Sequence, residues 1–98
     1  MRYKLMNDYC ADWPFWGGVE GGGLCGDDDP TLSPRLAEEV RAWAAQFNHS
    51  FDWQIGWPDE ATATAHRAEG ERLYRAVVAE LPHDTVTVDH WETDYRAR

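Results

Sequence analysis

Apolar and polar positions alternate at the start of the chain and then change period. Tyr3, Leu5, Asn7 and Tyr9 interleave with Lys4, Met6, Asp8 and Cys10. That two-residue repeat predicts a strand over 2–10, with one aromatic and aliphatic side and one mixed side. Beyond Ser33 the repeat lengthens. Leu36, Val40, Trp43 and Phe47 fall at helical spacing and make one apolar stripe. Ser33 is a good N-cap, and Pro34 suits the first helical position, where its missing N–H costs nothing. Asn48-His49-Ser50 ends this helix. A second helix is predicted from Asp59 or Glu60 to Leu81, started by Pro58 and stopped by Pro82. His66, Gly70, Leu73, Val77 and Leu81 share its inner face. Gly70 in mid-helix costs about 1 kcal/mol against Ala, and close approach of another backbone is its simplest use. Glu69 with Arg72 and Glu71 with Arg75 are spaced as ion pairs on the outer face. Residues 84–91 read as a second strand, in which Val86, Val88 and His90 alternate with Thr87, Asp89 and Trp91.

Two stretches fit neither period. Residues 11–32 carry Trp13-Pro14-Phe15-Trp16, six glycines between Gly17 and Gly26, and the turn signal Asp29-Pro30. Unstructured links longer than ~12–15 residues are uncommon in compact domains. This one is therefore functional, or part of it forms a short hairpin around Val19 and Leu24. In the connector 51–57, Phe51, Trp53, Ile55 and Trp57 alternate with Asp52, Gln54 and Gly56. It reads as a loop whose aromatics fill the seam between the helices, with Trp43, Phe47 and Trp53 assigned to the core. The polar tail from Glu92, and 93–98 in particular, is expected to fray.

The order is strand, long loop, helix, helix, strand: an α+β fold with two helices packed on a small sheet. The strands need each other to pair their backbone groups, and a two-stranded sheet is marginal alone. It must be covered by the helices and can be extended by the loop hairpin or by a second chain, which makes a homodimer one reading. With 98 residues, positions 1–98 are expected to form a single domain.

Charge sharpens the picture. Eighteen acids against nine bases leave a net charge of −9, spread along the chain. Such a surface repels nucleic acid and anionic lipid and attracts basic proteins. No apolar run approaches the ~18 residues of a membrane span, and the start of the chain lacks a signal-peptide pattern. A cytoplasmic protein with Cys10 and Cys25 as free thiols is expected.

Candidate chemistry is sparse. The glycine tract lacks the Gly-Lys-Ser/Thr ending of a phosphate loop. Asp27-Asp28-Asp29 lacks the ligand spacing of a calcium loop, and no CxxC or HxxxH pattern joins the cysteines and histidines into a metal site. No cofactor is implied. A Cys–His pair drawn from Cys10, Cys25 and His90, under the glycine loop, is the one enzyme or ligand-pocket reading with suitable residue types. His66 reads as a histidine at the core margin.

Tyr3-Lys4-Leu5-Met6 with Asp8-Tyr9, the Trp13–Trp16 segment, and Leu32-Ser33-Pro34 before Leu36 and Trp43 are similar to a set of small acidic bacterial proteins of no assigned activity. That resemblance implies no catalytic residue. In size, charge and domain plan the chain also resembles the immunity proteins that silence bacterial toxins. The leading expectation is a small protein-binding domain, an immunity- or antitoxin-type inhibitor that occludes a basic partner. Trp13, Phe15 and Trp16 would anchor that partner, and Asp12, Glu20, Asp27, Asp28 and Asp29 would pair its Arg or Lys side chains.

Overall fold

The computed structural model describes residues 1–18 and 23–93. The elements are β1 (Arg2–Met6), β2 (Phe15–Gly17), α1 (Pro34–Ser50), α2 (Glu60–Glu80) and β3 (Thr85–Asp89). Two helices pack against a three-stranded sheet of order β2-β1-β3, the expected α+β arrangement. The two strands read from the sequence, β1 and β3, do pair, and they run parallel. Parallel neighbours need a long crossover, and α1 and α2 lie within it.

Register explains the layering. Leu5 sits opposite Phe15 on one side and Val88 on the other, and Tyr3 opposite Gly17 and Val86. Tyr3, Leu5, Phe15 and Val86 turn inward to meet Leu36, Val40, Trp43, Leu73 and Val77 from the helices. Lys4 sits opposite Trp16 and Thr87, so these side chains share the outer face. β1 stops at Met6, well short of residue 10. Met6 N–H donates to the Pro14 carbonyl, Ala11 N–H closes a turn onto Asp8, and Cys10 adopts φ 64°. The Asn48 side chain accepts from Cys10 N–H and donates to the Ala11 carbonyl, holding this turn against α1.

Both helices form where their caps predict. Ser33 Oγ accepts from Leu36 N–H, and the Asp59 carboxylate accepts from Thr62 N–H at 2.7 Å. Glu80, at the end of α2, accepts from Ser33 N–H and Oγ at 2.7 and 2.6 Å, which ties the start of one helix to the end of the other. Leu36, Val40, Trp43 and Phe47 on α1, and His66, Gly70, Leu73 and Val77 on α2, are buried as read, while Leu81 is the half-buried C-cap just beyond α2. Gly70 serves side chains, not a second backbone. A Cβ there would lie 2.6 Å from the Trp43 ring and 2.9 Å from His90.

The loop takes the hairpin alternative, and two further expectations change. The loop is not structureless: β2 lies within it, Trp16 bridges Leu24, Gly17 N–H donates to Gly23 and Cys25 N–H to Phe15. The hairpin thus forms at Leu24, while Val19 lies outside the described residues. In the connector, Phe51 is buried and Trp57 half-buried, but Trp53 and Ile55 are 66% and 65% exposed. A tight turn with paired Asp52 and Gly56 lifts both off the core. Glu92, expected in a fraying tail, is fully buried because polar partners inside the protein receive it. Residues 94–98 of the predicted tail lie outside the described residues.

Candidate interaction surface

The loop aromatics do not form an outward anchor. Trp13 is 3% exposed and Phe15 fully buried, and their rings pack on each other at 4.8 Å. Trp13 Nε1 donates to the Asp29 carbonyl, and the Arg41 guanidinium covers its outer face at 4.5 Å. Their bulk fills the end of a core that two helices and five-residue strands leave open. Trp16 is half-buried. Its Nε1 donates to Met6 O, and it lines a groove on the outer sheet face with Arg2, Lys4, Thr85 and Thr87. Among the described residues that line this groove, the charged neighbours of the ring are the bases Arg2 and Lys4.

The acids of the loop divide. Asp12, Asp27 and Asp28 are exposed. Asp29 is half-buried and accepts the Tyr3 hydroxyl, so it is committed to the fold. Burial, then Asp29 itself, pushes the Tyr3 hydroxyl well above the usual tyrosine range. Glu20 lies outside the described residues.

Burial, helped by Asp29, pushes the Cys25 thiol up, away from the thiolate that nucleophilic attack requires. Cys10 is exposed, and both are free. His90 is occupied with Glu71, Nε2 to Oε1 at 2.9 Å. Among the described residues, no group of three or more His, Cys, Asp or Glu could hold a metal ion, and no helix is long and apolar enough to cross a membrane.

Sequence reasoning missed a polar cluster inside the protein. Asn7, His66 and Glu92 are all fully buried. Glu92 Oε2 accepts from Asn7 Nδ2 at 2.8 Å and lies 3.1 Å from His66 Nε2. Nε2 also lies 3.0 Å from Asn7 Nδ2, and Nδ1 meets Gln46 Oε1 at 2.9 Å. Trp43 stacks on the imidazole at 4.7 Å and 8°, and Trp57 tilts over it at 4.5 Å. Trp57 Nε1 donates to the Glu92 carbonyl and Trp91 Nε1 to the Asn7 carbonyl. The start, middle and end of the described chain are thus fastened at one point.

Directly beyond Trp57 stands the exposed turn. The Asp52 carboxylate accepts from Gln54 N–H at 2.7 Å and Ile55 N–H at 3.1 Å. Asp52 N–H donates to the Gly56 carbonyl, and Gly56 N–H returns the bond. Gly56 has φ 76°, a conformation that favours glycine. The result is a stiff knuckle with Trp53 and Ile55 at its tip. Beside it lies a groove of about 470 Å³ lined by Ile55, Trp57, Asp59, Glu60 and Arg67, among others. The alternation of Phe51, Trp53, Ile55 and Trp57 was the available signal. It gives the facing of a brief turn, with 51 and 57 inward, only once the Asp52–Gly56 pairing is known.

Fold and surface together define a small two-layer α+β protein whose features suit contact with another macromolecule. The chain belongs to the Serratia CdiI immunity protein-like family, whose model matches residues 1–95. No curated protein matches it.

Proposed function

We propose that this protein is an immunity-type inhibitor, which binds a toxin partner and silences it by occlusion. The family match over residues 1–95 carries this reading. The net charge of −9 supports a partner with a basic face, since opposite charge steers encounter and like charge rejects wrong partners. In this reading the exposed Asp12, Asp27 and Asp28, with Glu20, attract and pair Arg or Lys of the toxin. Asp29 shapes the loop, and Trp16, with Arg2 and Lys4 beside it, stays outside the contact.

The test takes a toxin-like reading frame found beside this chain's gene. Its expression alone should arrest growth, and co-expression of this protein should restore it. The purified pair should associate faster at low salt than at high salt. A toxin that arrests growth equally with and without this protein, and shows no binding at either salt, would refute the reading.

A further inference from the structure

Trp53 and Ile55 are the two most exposed large apolar side chains among the described residues. Asp52 caps the turn and Asp59 caps α2, so those acids have structural work already. Trp53 and Ile55 contribute little to the core from where they stand. Exposed aromatic and aliphatic side chains held on a stiff turn suit binding, because little conformational freedom is lost on contact.

Charge selects the occupant. Among the described residues around the knuckle and groove stand Asp52, Asp59 and Glu60 with one base, Arg67, which donates to Thr93 Oγ1. The Thr62 N–H bond holds the Asp59 carboxyl below the usual carboxylate range, so its charge persists at neutral pH. The sheet-face groove at Trp16 carries Arg2 and Lys4 instead, the opposite sign. A basic partner is therefore favoured at the knuckle and disfavoured at the sheet.

We infer that the Asp52–Gly56 knuckle and the adjoining groove form the docking surface for a basic segment of the partner protein. Trp53 stacks on an Arg or Lys of that segment, Ile55 packs against its stem, and Glu60 with Asp59 receives its charge. The inference rests on the inhibitor reading above and assigns that function a place.

The experiment measures binding of the toxin domain that the preceding test identifies to full-length protein by biolayer interferometry, with thermal melting of each variant alongside. Trp53→Ala and Ile55→Ser should each weaken binding about 30-fold, mainly through faster dissociation. Both should leave the melting temperature near that of the wild type, because both side chains are mostly in water. Glu60→Lys should slow association and flatten its salt dependence. Trp16→Ala with Lys4→Glu, on the sheet face, should bind within about twofold of wild type. If the toxin binds the wild type and the Trp53 and Ile55 variants equally, or if only the sheet-face variant loses binding, the inference falls while the inhibitor reading stands. If the wild type does not bind the toxin at all, both fall together.

Discussion

Gly70 shows how a single hydrogen in place of a methyl group can set a helix apart from its propensity. Alanine at this position would favour the helix by about 1 kcal/mol. Its Cβ would also press on the Trp43 ring and on His90. Neither ring can retreat easily. Trp43 is buried, donates to the His66 carbonyl at 3.0 Å and stacks on the His66 imidazole, and His90 is held by Glu71. Overpacking of this kind typically costs about 1–3 kcal/mol, so Gly70→Ala should destabilise the protein on balance, measured as a lower urea midpoint. Glu92 makes the opposite point, that a polar group can be essential to an interior. Glu92→Ala strands Asn7 and His66 without the oxygen both approach, and should cost about 3–5 kcal/mol. Glu92→Gln keeps an oxygen acceptor and should cost less. Urea titrations of the two variants side by side would separate lost bonding from lost volume.

At the scale of elements, the helix termini carry the testable electrostatics. Asp59 has its carboxyl pKa lowered by the Thr62 N–H bond. A depressed folded value means stabilisation that is present above the unfolded pKa and lost as pH falls through the folded one. Asp59→Ala should therefore melt at a lower temperature than wild type at pH 7, and the two melting curves should converge as the solution is acidified below about pH 3.9. Glu69 behaves alike, its carboxyl held low chiefly by the Arg72 hydrogen bond. Glu80→Ala removes both bonds to Ser33 and should loosen the start of α1, seen as faster amide exchange over residues 34–37. The helices were legible because their signals are local: Ser33-Pro34 and Asp59 mark the starts, and stripes at helical spacing mark the faces. The parallel pairing of β1 with β3 was not, since nothing in either strand encodes the direction of its neighbour. The burial of Trp13 and Phe15 was hidden by their glycine-rich setting, which composition marks as surface. Asn7 and Glu92 were hidden for a related reason. A buried polar residue looks like an exposed one until its partners, 59 and 26 residues away at His66, are brought beside it. The exposure of Asp12, Asp27 and Asp28 could be read, whereas the outward facing of Trp53 and Ile55 depends on a turn closed by hydrogen bonds.

For the whole molecule, charge and topology govern behaviour. A chain with −9 net charge should associate with a basic partner at a rate that falls steeply as ionic strength rises, since the screening length shrinks from about 10 Å at 0.1 M to about 3 Å at 1 M. Stopped-flow mixing across that range checks this, with dissociation much less affected. β3 lies at the edge of the sheet, paired with β1 on one side. A homodimer joined there would reveal itself by a sedimentation coefficient that rises with concentration. The Asn7–Glu92 bond spans 85 positions and brings its own consequence for biosynthesis. During translation, the niche around His66 stays open to water until residue 92 has left the ribosome. Contacts between such distant positions close slowly and late, so the nascent chain should remain protease-sensitive until residue 92 has emerged and then become resistant in one step.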